Sequence, residues 1–597
     1  MKLNDELRIG EVSEVSGKQI KAGIYYEKNT EFLNFNGDVI KNVSIGSFVI
    51  IRKSYTNIVG KVEGEFIKEN SSNDVTDFKG RNINRVISIS ILGSIKNNKF
   101  IHGLNSLPMV GNYVYVATES IVNEIFTNSG ENNLLLGNLI GVGDYPFSVN
   151  CQNLLCSHIG IFGNTGSGKS NTLAKIYKDT VDSFSKFKKF NNNAKFVFID
   201  FNGEYGNVFD FCDKFNLSTR IPNGDKYPIS IEDITDTEFW SIILEATDKT
   251  QKPFIERAIK SFKYVNSNPD CIDYDELIDL IYNSSEKYTE VRIYLKELFQ
   301  FLNLTEAFQN IENELFYHNK QKCFYTIEHG IPQYNPSKEA IYYIAFKDEQ
   351  NTTIDLSSLN QFDKFAITLY KQYCRELCKA FVTKEHIGPL LARSRNRIDY
   401  LDRIFNVTNK DKERNTNIDV ISLIGLNVEM RKIVPLIICK KYYNEKKESR
   451  KKTISSTLHI IIDEAHNILS TTSIRESEEW KDYRLECFEE IIKEGRKFGT
   501  FLTIASQRPS DISDTIISQL HNYFIHRLVN EEDLRKIYRT ISFSDKATNE
   551  MISILPAGGC VFSGLATNFP ILAQITKLDT KHEPTSQNAN ISKIWKD

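Results

Sequence analysis

The apolar and polar residues of this chain change period near residue 150, and that change is the first sign of its organisation. Before it, short β-rich runs dominate. Arg8-Ile9-Gly10-Glu11-Val12-Ser13-Glu14-Val15 alternates in part, and Ile45 to Ile51, Lys61-Val62 to Phe66-Ile67, Val86 to Gly93 and Val110 to Val116 follow. Runs this short, separated by Gly and Asn turns, predict a small antiparallel barrel over residues 1–150. The polar stretch from Lys68 to Gly80 reads as a surface loop. No set of catalytic side chains gathers here, so the expected role is assembly or docking.

Beyond residue 150 the pattern becomes one of buried-type strands and amphipathic helices. His158-Ile159-Gly160-Ile161-Phe162, Phe196-Val197-Phe198-Ile199, Ile418 to Leu423, Leu458 to Ile462, Thr500 to Ser506 and His521 to Leu528 are apolar runs of strand length. Leu173, Ile176, Tyr177, Val181 and Phe184 recur at helical spacing after the first of them. Residues 231–410 read as mainly helical, with apolar periodicity over Asp236–Thr247, Lys252–Val265, Tyr274–Tyr282, Val291–Leu304 and Phe365–Phe405. A further helix is predicted from Val428 to Tyr443. Strands alternating with helices imply a mainly parallel α/β sheet, into which residues 231–410 form a helical insertion. A turn and strand follow at Leu555 to Phe562, and the tail from Lys581 to Asp597 is polar.

The junction between the first strand and its helix carries the chemistry. Gly163-Asn164-Thr165-Gly166-Ser167-Gly168-Lys169-Ser170, followed by Asn171, fits the phosphate-loop pattern at every specified position. Glycines let backbone N–H groups approach phosphate oxygens, and the helix N-terminus adds a favourable dipole. Lys169 is placed to reach the outer phosphates, and the Ser170 hydroxyl to hold magnesium. A second element matches it. Three isoleucines, Ile460 to Ile462, feed Asp463 and Glu464 at a strand end. The shorter Asp463 suits a magnesium ligand, and Glu464 suits polarising an attacking water. Gln507 ends the next strand and is a candidate to sense the terminal phosphate or orient water. Arg496 is a candidate to stabilise transition-state charge in its own subunit or a neighbour's, the alternative being a surface ion pair. Asp200 and Glu204 end another strand, and either touch the nucleotide site or cap the next segment. His466 reads as a helix-start residue.

Composition narrows the class. With 597 residues the chain is expected to hold about two to four domains, and its 41% apolar and 25% charged residues are those of an ordinary soluble globular protein. A net charge of −3 excludes a polycation that coats nucleic acid, although a pore lined by a few lysines is compatible with it. The basic run Lys446, Lys447, Arg450, Lys451 and Lys452 is either a solvated loop or a DNA contact. The ten cysteines show no zinc-type spacing, and Cys374 and Cys378 fall on one helical face as thiols. No apolar run approaches bilayer length and no signal-peptide core opens the chain, so a cytoplasmic location without membrane contact is expected. Abundant Asn, Lys, Ile and Ser argue for a mesophile.

Taken in order, these segments resemble the HerA family of the FtsK–HerA motor ATPases. The resemblance is carried by His158 to Ser170, Ile199-Asp200 through Gly203-Glu204-Tyr205, Ile462 to His466, Glu494 to Lys497, Ser506 to Ser510 and Arg527 to Leu534. It implies a RecA-like P-loop core split between residues 151–230 and 411–580, with the small barrel in front of it and a polar tail at 581–597. It also implies ATP and Mg2+ as cofactors, a homo-hexameric ring and translocation along double-stranded DNA. The resemblance assigns nucleotide and metal chemistry to Lys169, Ser170, Asp463 and Glu464, and brings Asp200, Arg496 and Gln507 to the same site. Motors of this family work with a separately encoded effector. That effector is a nuclease such as NurA in DNA-end resection, or a sirtuin-type NAD hydrolase or other nuclease in antiviral defence, and the mesophile-like composition favours the antiviral setting. The alternative is a ring that serves mainly as an assembly scaffold and regulator of its effector. A conjugation-type DNA pump is disfavoured by the lack of a membrane segment. The long helical insertion and the residues from Ser470 to Tyr483 depart from a plain family member.

Overall fold

The computed structural model describes residues 4–585 except 18, 36, 55, 70–82, 97–98, 127–131, 142–144, 269–271, 348–352, 409–415, 450–453, 473–475, 541–545 and 568. Near the N-terminus, Arg8–Ser16, Gln19–Ile24, Phe48–Lys53, Thr56–Glu69, Ile83–Lys96 and Tyr113–Val116 form an antiparallel sheet that closes on itself through pairing of Gln19–Ile24 with Ile83–Lys96. Closure removes free sheet edges. Its interior is β-branched, with Ile9, Val12, Ile20, Val49, Ile51, Ile58, Val62 and Ile87 buried. The bend is tight. A Cβ on Gly10 would lie 2.0 Å from the Gly23 carbonyl oxygen, so only glycine fits there. Of the expected loop from Lys68 to Gly80, Lys68 and Glu69 are strand residues and the remainder lies outside the described residues.

The barrel does not extend to residue 150. Asn133–Leu139 and Pro146–Asn150 pair antiparallel with each other, and Asn133–Leu139 pairs in turn with Ile571–Ile575, in an eleven-stranded sheet. A Cβ on Gly137 would lie 1.9 Å from the Gln574 carbonyl, which shows how closely this strand is seated. Leu134, Leu136, Leu139, Phe147 and Val149 are buried in that sheet's core. Alternating apolar residues read the same in a barrel and at the antiparallel end of a mixed sheet, so the pattern alone assigned these strands to the wrong neighbour.

The parallel half of the sheet runs Asn522–His526, Ile159–Phe162, Thr500–Ser506, Thr457–Ile462, Ala194–Asp200, Ile418–Gly425 and Asp213–Ser218. The central strands are buried on both faces, which is why they read as unbroken apolar runs rather than alternating ones. Helix Lys169–Phe184 packs on one face through Leu173, Ile176 and Tyr177. The opposite face carries Met430–Glu448, Glu478–Glu494 and the insertion. This is the α/β P-loop fold, a mainly parallel sheet flanked by helices and preceded by a small antiparallel barrel.

The insertion is tied at its base, where Tyr227–Ser230 pairs in parallel with Phe405–Thr408. Its core includes Trp240 stacked on Phe365, with ring centroids 3.5 Å apart. The helical periodicity from Phe365 to Phe405 belongs to two helices, Gln361–Cys378 and Lys384–Ile404, parted where Ala380 adopts φ +57°. The insertion also holds a three-stranded antiparallel sheet, Phe316–His318, Cys323–Glu328 and Ile331–Tyr334, inside a stretch read as helical. Its strands are too short for a period of two to stand out from the neighbouring helices. The cysteines among the described residues are all free. Among those residues no helix is long and apolar enough to cross a membrane.

Three histidines are buried in the core around the sheet. His459 lies between the rings of Phe196 and Phe501, at 4.9 and 5.3 Å. Burial pushes its pKa down to about 3, and those of His158 and His526 to about 4. In the unfolded chain a histidine binds its proton near pH 6.5. These side chains therefore contribute stability in full above about pH 6.5, and that stability is lost as pH falls toward 4. The melting temperature is expected to drop through this window, and His459→Phe to make the drop shallower. A pH series of thermal melts on the two proteins checks this.

Candidate nucleotide site

Gly163–Ser170 forms the turn between the central strand and helix Lys169–Phe184. Gly166 and Gly168 take φ of +74° and +106°, values that L side chains rarely adopt. The loop is held from below before any ligand is considered. Ser167 Oγ donates to the Asn164 carbonyl at 2.7 Å, the Gly558 N–H donates to the Ser167 carbonyl at 2.8 Å, and the Asn164 N–H donates to the Arg527 carbonyl at 3.0 Å. A Cβ on Gly163 would strike His526 Cβ at 2.6 Å, and one on Gly168 would strike Gly558 Cα at 2.7 Å. His526 is itself fixed. Its Nδ1 donates to the Gly559 carbonyl at 2.8 Å, which leaves Nε2 to accept from Thr172 Oγ1 at 2.9 Å.

Charge enters from the strand two places away in the sheet. Lys169 is 4% exposed, and its Nζ donates to Asp463 Oδ1 at 3.1 Å and Glu464 Oε1 at 2.8 Å. Burial alone lowers the lysine's pKa, but the two carboxylates outweigh it and the net shift is upward. For Glu464 burial acts upward, while Lys169 and the Gln507 amide pull the carboxyl below its ordinary value. Glu464 also sits at φ +46°, a backbone region unusual for a residue with a side chain. Hydrogen bonds on either side hold it there, Asp463 N–H to the Ile199 carbonyl at 3.1 Å and Ala465 N–H to the Ala505 carbonyl at 2.8 Å. Gln507 Nε2 donates to Glu464 Oε1 at 2.6 Å, and Thr165 Oγ1 donates to Gln507 Oε1 at 2.6 Å. His466 opens helix His466–Leu469, with Nδ1 3.3 Å from Glu464 Oε2. Burial lowers its pKa, against the upward pull of the Glu464 charge.

The structure thus gathers Lys169, Ser170, Asp463, Glu464, Gln507 and the loop glycines, and sets three candidates elsewhere. Asp200 is fully buried, but both its oxygens are taken by the turn that follows. It accepts from the N–H groups of Asn202, Gly203 and Tyr205 at 3.2, 2.7 and 2.9 Å. It shapes the loop, and Glu204 is the carboxylate that this loop turns toward Ser170 and Asp463. Burial and the Asp463 charge raise the Glu204 pKa, and the neighbouring Ser170 hydroxyl lowers it. The Asn171 side chain faces the segment after the last strand, donating to the Thr576 carbonyl at 3.2 Å and accepting from the Leu578 N–H at 3.1 Å. Arg496 lies on the turn Gly495–Phe498 that precedes strand Thr500–Ser506, whereas Gln507 follows that strand. A strand of this length spans roughly 20 Å, so Arg496 is at the far end of the sheet from its own phosphate loop. There its Nη1 is 3.4 Å from His521 Nε2. In the basic run, Lys446 bonds Ser456 Oγ and Lys447 pairs with Glu490 at 2.6 Å, and residues 450–453 lie outside the described residues. His526 and Gly558 went unnoticed in the sequence, because a strand-end histidine and a Pro-Ala-Gly-Gly turn carry no motif of their own.

The donor set fits a magnesium nucleotide. Asp463 Oδ2, Glu464 Oε2 and Glu204 Oε2 are buried without a hydrogen-bond partner among the described residues. Buried carboxylate oxygens of this kind are costly unless a cation or water meets them. Among the described residues no cluster of three His, Cys, Asp or Glu side chains holds a metal unaided. Magnesium keeps waters and phosphate oxygens as ligands beside one or two protein groups. Ser170 and Asp463 would hold it, and bound there it would neutralise charge on the phosphates. Glu464 would be the group to take a proton from water, and Gln507 Nε2 donates to its carboxylate.

Residues 134–377 match the family model described as the helicase HerA central domain. The probable helicase MJ1565 of Methanocaldococcus jannaschii is 22% identical over 92% of this chain and 89% of its own length. The DNA double-strand break repair helicase HerA of Sulfurisphaera tokodaii is 24% identical over 82% and 77%, and that of Pyrococcus furiosus 24% over 89% and 88%. The chain is a P-loop ATPase similar to the HerA helicases. Among solved structures, VirB4 of Thermoanaerobacter pseudethanolicus overlays with a TM-score of 0.41 at 12% identity, over 75% of this chain and 98% of that one. For this ATPase the geometry separates two carboxylates. Glu464→Gln is expected to lower ATP turnover by at least about a hundredfold while ATP still binds. Glu204→Gln is expected to raise the magnesium concentration needed for half-maximal turnover with a smaller loss at saturation. Steady-state hydrolysis across a magnesium titration, with nucleotide binding measured separately, checks both.

Proposed function

We propose that this ATPase is the motor subunit of a homo-hexameric ring that moves along double-stranded DNA and works with a separately encoded effector, a nuclease or a sirtuin-type NAD hydrolase. The observation that carries the reading is the placement of Arg496. The site contains the groups for binding and for water activation, but the exposed arginine expected to stabilise transition-state charge stands at the far end of the same sheet. A neighbouring subunit that brings its own Arg496 to this site would complete it, and a closed ring supplies such a neighbour to every copy. The relatives named as DNA double-strand break repair helicases support duplex DNA as the track. The composition, rich in Asn, Lys, Ile and Ser, favours a cytoplasmic antiviral setting over DNA-end resection. The barrel, which has no catalytic constellation among its described residues, suits assembly and effector docking. The boundaries 1–150, 151–230, 231–410, 411–580 and 581–597 serve as working units, with strands Asn133–Leu139 and Pro146–Asn150 counted with the sheet.

Duplex DNA is expected to stimulate ATP hydrolysis several-fold, and Lys169→Ala to abolish turnover with and without DNA. Arg496→Ala is expected to leave ATP binding intact and to slow hydrolysis. When doped into wild-type rings it should lower activity in proportion to the fraction of mixed interfaces. Hydrolysis assays with the mass of the assembly measured in parallel test this. If DNA leaves turnover unchanged while the effector alters it, the ring is a scaffold and regulator rather than a translocase.

A further inference from the structure

Thr165 occupies a variable position of the phosphate loop, and its side chain does something the loop pattern does not require. It is exposed, and its single O–H donates to Gln507 Oε1 at 2.6 Å. The Glu464 carboxylate settles which way the Gln507 amide points, because it only accepts: Nε2 must face Glu464 Oε1, also at 2.6 Å, and that leaves Gln507 Oε1 to accept from the Thr165 hydroxyl. Glu464 Oε1 is shared with Lys169 Nζ at 2.8 Å, while Oε2 has no hydrogen-bond partner among the described residues. Three side chains from three separate segments therefore form one line, from the phosphate loop, through the end of strand Thr500–Ser506, to the carboxylate that follows strand Thr457–Ile462.

A carboxylate accepts hydrogen bonds only, and so does a phosphate oxygen. A terminal phosphate at this loop competes with Glu464 for the Lys169 ammonium and with Gln507 for the Thr165 hydroxyl. Once the hydroxyl turns to phosphate, Gln507 Oε1 is released to accept a hydrogen bond from water beside Glu464. A diphosphate lacks the outermost oxygens that would draw the hydroxyl away. We propose that Thr165 is a positioning residue that, through Gln507, sets the Glu464 carboxylate according to whether a terminal phosphate is bound. The proposal rests on the ATPase reading of the site and adds to it a role for a loop position that the motif leaves unspecified.

The test compares Thr165→Val, which removes the hydroxyl at nearly constant shape, with Thr165→Ser, which keeps it. Thr165→Val is expected to lower kcat about five- to tenfold, the worth of one hydrogen bond. The KM for ATP and the affinity for ADP should move less than about threefold, and Thr165→Ser should recover most of the rate. Because Thr165 acts through Gln507, the double variant Thr165→Val/Gln507→Ala should be no slower than Gln507→Ala alone. The proposal is overturned by any of three results: a Thr165→Val kcat within twofold of wild type, a Thr165→Ser variant as slow as the valine, or additive losses in the double variant. A loss confined to KM and matched by weaker ADP binding also overturns it, since that marks a plain phosphate contact. Wild-type turnover measured alongside with and without duplex DNA judges the translocase reading separately, because the variant comparison is read without DNA.

Discussion

The buried ammonium of Lys169 between Asp463 and Glu464 is the interaction on which the rest of the site depends. A charged lysine with almost no contact with water costs several kcal/mol unless its partners are at hand. Here they come from two residues, 294 and 295 positions away in the sequence, at 3.1 and 2.8 Å. The phosphate loop alone cannot bring them there. They are delivered because strand Thr500–Ser506 lies between strands Ile159–Phe162 and Thr457–Ile462 and holds both in register. The strained φ of Glu464 belongs to the same constraint, since the backbone turns sharply at the sheet edge to aim that side chain back at the loop.

Around this charge cluster the fold supplies supports that are not themselves chemical. His526 and Gly558 pack beneath the loop and leave no room for a Cβ on Gly163 or Gly168. Asp200 gives up both carboxylate oxygens to the turn that presents Glu204. Asn171 fastens the start of the phosphate-loop helix to the segment after the last strand, and that segment returns as far as the Glu204 carbonyl, to which the Thr585 N–H donates at 3.0 Å. A preformed loop with its donors already oriented loses little entropy when phosphate arrives. The same rigidity lets a small change at the loop, such as the loss of one hydroxyl bond, be felt at the carboxylate.

Much of this was legible in the residues, and the reasons differ from part to part. Strands buried on both faces announce themselves as apolar runs, so the parallel core and its two acidic strand ends could be read directly. The antiparallel strands near residues 133–150 could not be assigned to the right sheet, because a period of two says which face is buried but not against what. The short sheet within the insertion was hidden among helices for want of length. Among site residues, Lys169, Ser170, Asp463, Glu464 and Gln507 stood at motif positions or strand ends, where chemistry and sequence coincide. Asp200 and Glu204 could not be told apart, since four residues on a turn leave open which carboxylate folds inward.

By itself the sequence determined the chemical inventory: a glycine loop able to approach phosphate, a lysine and hydroxyl at its end, and a buried strand ending in two carboxylates. These are local properties, set by side-chain type and by the period of the apolar positions. Only the tertiary structure decided which of the candidates meet. It drew Thr165, Gln507 and Glu464 into one hydrogen-bonded line, turned Glu204 inward in place of Asp200, and left Arg496 at the opposite end of a strand from its own site. Direction along a strand and order across a sheet are fixed by long-range pairing, and such pairing depends on residues hundreds of positions apart that no local pattern connects.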